Sequence, residues 1–209
     1  MGLKSQLESE LSAVSDFENP RRDLEQYRTP ASVAAHLITL ADLQGDLAGA
    51  TVVDLGSGTG MLALGATLRA PRRVIGLEID SSAIDLAREN ETRLAPGTAV
   101  EWIEGDAADP PLDLAGATVL ANPPFGAHTD NVHADRDFLE TIADGAGVSY
   151  TIHNEGSREF MEAYTADNGG RITHAYGVEF PVPKQFRHHE SARRTIRAEL
   201  YRVVWDRDL

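Results

Sequence analysis

Apolar residues along this chain change their period twice, and the changes divide it into three stretches. Leu3, Leu7, Leu11 and Val14 recur at helical spacing, so the first 20 residues predict an amphipathic helix ending near Asn19-Pro20. A second helix is expected from Thr29-Pro30, with threonine as the cap and proline in the first turn, through Val33, Leu37 and Leu40. Beyond residue 50 the pattern shifts to short β-rich runs, and residues 51–55, 73–77, 100–103, 117–121 and 148–152 predict strands. Helices are expected over 61–68, from a Ser81-Ser82 cap to Leu94, over 136–143 and over 157–166. The end differs again. Residues 172–180 and 195–205 follow one another without an intervening helix, and predict an antiparallel pair at one edge of a sheet, joined by a loop over 181–192.

Strands alternating with helices of this length imply an α/β fold with a mostly parallel sheet and helices on both faces. Ligands in such sheets sit at the carboxyl ends of the strands. The chain's 209 residues suffice for one domain with small additions. With no cysteine, disulfides and thiolate metal sites are excluded, and no metal site is expected. No apolar stretch is long enough to span a bilayer and the N-terminus lacks a signal-peptide core, so a soluble, cytoplasmic protein with no membrane association is expected.

Charge adds two expectations. The net charge is −14, with 33 acidic residues against 19 basic ones, and only Lys4 and Lys184 are lysines. Such an acidic, lysine-poor surface suits concentrated salt and points to a halophile. The basic excess is confined to the end of the chain, where residues 184–209 hold seven basic and four acidic groups. There Lys184, Phe186, Arg187 and His188 offer phosphate and stacking contacts to a polyanion.

Four motifs carry chemistry. Asp54-Leu55-Gly56-Ser57-Gly58-Thr59-Gly60 joins the first strand to the helix after it. Its glycines let a ligand approach the backbone, but their spacing is not the dinucleotide fingerprint, and Asp54 would repel a phosphate. A cofactor with a positive charge and an amino-acid end fits better, namely S-adenosyl-L-methionine. Glu78 ends the second strand, where a carboxylate accepts ribose hydroxyls. Its neighbour Asp80 reads better as a helix N-cap. Asp106 follows the third strand, placed to accept an adenine amino group, with the Ala107 amide donating to the ring. Asn122-Pro123-Pro124-Phe125 follows the fourth. Each proline removes a backbone donor and holds the residue before it extended. On its own the tetrapeptide reads either as a stiff turn or as a clamp of acceptors for a planar amine, with Phe125 stacking on the base.

Together these motifs resemble a class I, Rossmann-like S-adenosylmethionine-dependent methyltransferase. More narrowly, Glu25-Gln26-Tyr27-Arg28-Thr29-Pro30, Asn122 to Gly126, His153, Ser157-Arg158-Glu159 and the segment from Lys184 to His188 resemble the methyltransferase-like 5 family of ribosomal RNA adenine N6-methyltransferases. The resemblance implies a seven-stranded sheet with an antiparallel edge strand, and an N-terminal helical extension, residues 1–48, covering the cofactor site of a core over 49–209. It assigns the cofactor to Gln26, Tyr27, Thr29, Asp54, Gly56, Ser57, Gly58, Thr59, Gly60, Met61, Glu78, Asp106, Ala107 and Asn122. Asn122, Pro123, Pro124 and Phe125 become the catalytic set. Ser57 and Thr59 stand where human-type sequences carry cysteines, and Glu78 replaces an aspartate. The family also works with a small zinc-binding activator subunit, docked by strand addition as a heterodimer. Two other functions stay open at this point: N5-methylation of a release-factor glutamine, and non-catalytic RNA binding in ribosome assembly.

Overall fold

The computed structural model describes residues 2–124, 134–182 and 194–205. Phe125 and the segment holding Lys184, Phe186, Arg187 and His188 lie outside the described residues. The strands β1 (Thr51–Leu55), β2 (Arg73–Glu78), β3 (Val100–Glu104), β4 (Thr118–Ala121), β5 (Val148–Asn154), β6 (Gly170–Val182) and β7 (Arg194–Trp205) form one sheet. Their order is β3-β2-β1-β4-β5-β7-β6. The helices are α1 (Leu3–Leu11), α2 (Ala31–Leu43), α3 (Met61–Thr67), α4 (Ser81–Leu94), α5 (Ala134–Gly145) and α6 (Arg158–Asp167).

Strands β1 to β5 pair in parallel, and in β1 all residues from Val52 to Leu55 are buried, as a strand covered on both faces requires. β7 runs antiparallel between β5 and β6, one place in from the edge. This is the α/β arrangement that the alternation of strands and helices implied, with the antiparallel pair where the apolar pattern foretold it. A hairpin needs no crossover helix, so β6 and β7 can be more than twice as long as β1.

Two apolar cores flank the sheet. Leu7, Leu11, Leu37, Ile38 and Leu64, from α1, α2 and α3, pack on one face with Leu120, Ile152 and Leu200. On the other, Leu139, Ile142 and Met161 cover Val53, Leu77, Val119 and Tyr201. A buried polar cluster fastens the first face at its far side. Arg202 on β7 donates to both carboxylate oxygens of Asp46, at 2.8 and 3.1 Å, and to Thr173 of β6 at 2.8 Å, while Tyr150 of β5 also bonds Asp46.

Two local expectations need correction. The first helix stops at Leu11, well short of Asn19-Pro20. The Ser12 hydroxyl bonds the Glu8 carbonyl at 2.6 Å, and Ser15 is drawn away to Asn90 of α4, whose Oδ1 accepts the Ser15 amide at 2.9 Å. Thr29 is not the cap of α2 either. Pro30 holds that position without a side-chain cap bond, and the Thr29 hydroxyl is engaged elsewhere.

Candidate active site

The turn from β1 into α3 is tied down by groups from two neighbouring elements, β2 and α4. The Ser57 amide donates to the Leu77 carbonyl at 2.9 Å, the Gly58 amide to Glu78 Oε2 at 2.8 Å, and the Asn90 side chain to the Thr59 carbonyl at 3.0 Å. Gly56 and Gly58 adopt φ of 68° and 52°. A β-carbon at Gly56 would stand 3.0 Å from the Phe138 ring of α5, and one at Gly58 3.1 Å from Phe17, so only glycine suits both backbone and neighbours. The loop is thus held between two aromatic rings with its backbone bared to a cleft.

Below the loop, Asp54 is fully buried and accepts the Ala63 amide in the first turn of α3 at 2.8 Å. Burial raises its carboxyl to about 8, against the pull of that amide and with a further push from Glu78. Glu78 is raised as well, chiefly by burial, although the amides of Asp80 and Gly58 oppose the shift. For Asp54 the folded chain keeps a proton that the unfolded chain releases near pH 4. The stability tied to this group is therefore complete below the unfolded value and is lost as pH rises through about 8. Between pH 5 and 9 the melting temperature of the ligand-free protein should fall relative to that of Asp54→Asn. Parallel melting curves for the two proteins would show that Asp54 is ionised throughout.

A strap from the N-terminal region closes the cleft. Gln26 donates to Asp80 Oδ2 at 2.8 Å and accepts the Arg21 amide at 2.9 Å. Asp80 is also the N-cap of α4, receiving the Ser82 amide at 3.0 Å, as its position suggested. Arg28 reaches back to the Val14 carbonyl at 2.6 Å, and Arg93 of α4 holds Ser15 at 2.7 Å. The cleft so formed has a volume of about 190 Å3 and opens to solvent.

Asn122 stands where β4 ends. Its Nδ2 donates to Thr29 Oγ1 at 3.1 Å, and among the described residues no donor reaches its buried Oδ1. Pro123 is buried and Pro124 half-buried beside it, and neither carries a backbone N–H. The proline positions therefore have no backbone donor, and Pro124 lines the cleft whereas Pro123 lines neither it nor the adjoining recess.

The residues singled out in the sequence converge here. Gln26, Tyr27, Gly56, Gly58, Glu78, Asp106, Ala107, Asn122 and Pro124 line the cleft. Thr29, Asp54, Ser57, Thr59 and Met61 line a smaller recess adjoining it, again with Asn122. Gly60 lines neither; its amide closes the turn onto the Ser57 carbonyl at 2.8 Å. Phe17, Glu25, Ile79 and Phe138 also line the cleft and were not foreseen. Asn90 was missed too, although the pattern carried its signal. It continues the buried face of Ala83, Ile84 and Ala87, and an amide at such a position needs hydrogen-bond partners.

The model of the methyltransferase small domain family matches residues 34–146. Uncharacterized protein MJ0284 of Methanocaldococcus jannaschii is 33% identical over 96% of this chain and 93% of its own length. The rRNA N(6)-adenosine-methyltransferase Mettl5 of Drosophila melanogaster is 30% identical over 94% of this chain and 93% of its own. Among solved structures, PH1948 of Pyrococcus horikoshii superposes with a TM-score of 0.88 at 35% identity, covering 98% of both chains.

Proposed function

This chain belongs to the methyltransferase small domain family and depends on S-adenosylmethionine, and we propose that its methyl acceptor is the N6 amine of an adenosine in ribosomal RNA. The observation that carries this reading is the buried Asn122 oxygen, without a donor among the described residues, next to two prolines on a residue that lines the cleft. Likeness to rRNA adenosine methyltransferases of fly and zebrafish over most of the chain supports the choice of adenine in RNA over glutamine in protein.

The residues present fit the cofactor. Positive φ at Gly56 and Gly58 opens the backbone to close approach. The recess holding Asp54, Thr29 and Met61 adjoins the amine clamp, so it would take the methionine end. Glu78 would accept from the ribose, its carboxylate retaining lone pairs beyond the two amides it already binds. Asp106 and Ala107 would border the adenine, and Gln26, Tyr27 and Thr29 would cover it, which makes the segment up to residue 48 the lid of the core that follows. When bound, the cofactor supplies an electrophilic methyl group carried on a sulfonium.

The chain's own contribution is alignment in a cleft shielded from water. Adenine's amine is conjugated with its ring and is a poor nucleophile. With one hydrogen accepted by Asn122 Oδ1 and the other by the Pro123 carbonyl, the nitrogen lone pair turns toward the methyl. Phe125 would stack on the flipped base, and Lys184, Phe186, Arg187 and His188 would meet the flanking strand.

Two further readings complete the proposal. Among the described residues, the sheet's outer strands, β3 and β6, each pair on one side only, which suits strand addition by a small zinc-binding activator subunit. The net charge of −14 with two lysines fits work in the concentrated salt of a halophile's cytoplasm. Within the described residues, no helix is long and apolar enough to cross a membrane.

The test is a map of N6-methyladenosine across ribosomal RNA from cells with and without this protein. Loss at a single adenosine, restored by the purified protein with its partner, is the expected result. An unchanged map, with a methylated release-factor glutamine lost instead, would overturn the RNA assignment.

A further inference from the structure

The glycine loop rests on a ring from the outermost parallel strand. Trp102 of β3 is paired with Gly76 of β2, which is paired in turn with Asp54 of β1, so the three stand in one row across the sheet. Gly76 lies in mid-strand and its φ is not positive, so its backbone would admit any residue, and glycine there forfeits packing and chain stiffness. The indole of Trp102 accounts for it. A β-carbon at Gly76 would stand 2.5 Å from indole Cε3, and one at Gly60 would stand 2.7 Å from indole Cη2. The same ring therefore reaches from β3 across β2 to the end of the glycine loop, filling the space that two glycines on different elements leave open.

The ring is itself fixed. Its Nε1 donates to Glu91 Oε2 of α4 at 2.7 Å, and Glu91 Oε1 accepts the Val100 amide at the start of β3 at 2.8 Å. One carboxylate thus ties the indole to the backbone of its own strand. Next to the ring, the Gly60 amide closes on the Ser57 carbonyl, and Ser57 and Thr59 line the recess assigned to the methionine end of the cofactor. Trp102 lines neither that recess nor the cleft. The loop has positive φ at Gly56, Gly58 and Gly60 and no side chains at those positions to brace it, so its shape has to be imposed by neighbours.

We propose that Trp102 is a positioning residue for the cofactor: it does not touch the ligand, and it holds the glycine loop in the shape that receives it. This rests on the cleft being the cofactor site, and is independent of which nucleotide is modified.

Fluorescence and calorimetry test it on the full chain. Of the two tryptophans, Trp205 is buried near the start of β5, away from the rim, its indole donating to Ser149 at 2.9 Å. In Trp205→Phe, titration with S-adenosylmethionine should change the emission of Trp102, whereas in Trp102→Phe the emission of Trp205 should stay constant. By calorimetry Trp102→Leu should bind the same ligand about tenfold more weakly, with a melting curve showing that it is folded. Gly76→Ala pushes against the ring and should weaken binding similarly. Combined with Trp102→Leu its methyl enters the vacated space, so the double variant should bind at least as well as either single one, a coupling that general loss of stability does not produce. Unchanged affinity in folded Trp102→Leu, or strictly additive losses in the double variant, would overturn the proposal. So would Trp102 emission that stays unmoved at saturating ligand, a result that holds even if no variant at position 102 folds. If the unaltered protein binds no S-adenosylmethionine, the cofactor assignment of the cleft falls, and this proposal with it.

Discussion

Asn122→Ala should lower the methyl-transfer rate by about a thousandfold or more and leave the affinity for S-adenosylmethionine within about threefold. Removing one preorganised hydrogen-bonding group from a reacting centre typically costs two to three orders of magnitude in turnover. Here the same amide is also held by Thr29 through its nitrogen, and its buried oxygen has no donor among the described residues. The cofactor's remaining contacts come from the glycine loop, Glu78 and Asp106, which the substitution leaves in place. Single-turnover methylation together with a binding isotherm checks both halves. Turnover near normal in Asn122→Ala would remove the amine clamp from the mechanism, whatever the substrate. Thr29→Val offers a graded control: the amide survives but loses the partner that orients it, so a smaller loss confined to turnover is expected.

The second large effect is on stability and lies far from the cleft. Arg202→Ala should destabilise the fold by about 3 kcal/mol or more, because it strands Asp46 as a buried carboxylate without its partner. The Arg202 and Asp46 side chains are only 11% and 12% exposed, and the guanidinium engages both carboxylate oxygens. For a chain of this size that loss corresponds to a fall in melting temperature of roughly 6 to 12 °C. Removing both charges together, as in Asp46→Leu with Arg202→Met, should recover much of it, since a desolvated pair adds little beyond what apolar packing supplies. Thermal unfolding of the single and double variants measures this directly. A double variant as unstable as Arg202→Ala would show that the pair itself, and not the stranded charge, carries the stability. The Arg73–Glu101 pair makes a useful contrast, as its side chains are about half exposed and its removal should scarcely shift the melting temperature.

How much of this was legible in the sequence differs by element. The five parallel strands were visible as short β-rich runs between turn residues, with central ones such as β4 apolar because both faces are covered. The final pair was legible for a complementary reason, the absence of a helix between two long β-rich stretches. The glycine loop, Glu78 and Asp106 could be placed on one rim because each follows a strand, and parallel strands bring their carboxyl ends together. Helix ends were read less well. Ser12 and Thr29 are residues whose hydroxyls serve equally as caps, helix-terminating groups or ligands to a distant side chain, and nothing local chooses among these. The stretch from Val14 to Arg28 has no regular period, and its course is set by Asn90, Arg93 and Asp80 from α4.

What the sequence determined on its own is the local chemistry: which backbone segments extend or coil, where donors are withheld by Pro123 and Pro124, and which acids end successive strands. Those follow from covalent structure and from periods of two and 3.6 residues. What only the tertiary structure decided is which of these groups meet. Thr29 takes the amide nitrogen of Asn122, 93 positions away, and the amide's buried oxygen is left without a donor among the described residues. Phe17 and Phe138, 121 positions apart, close on the glycine loop, and Arg202 finds Asp46 across 156 positions. The strap turns Glu25 inward while leaving Tyr27 outside. Each of these juxtapositions depends on packing between elements whose order in the sheet differs from their order in the chain, and local periodicity carries no record of that order.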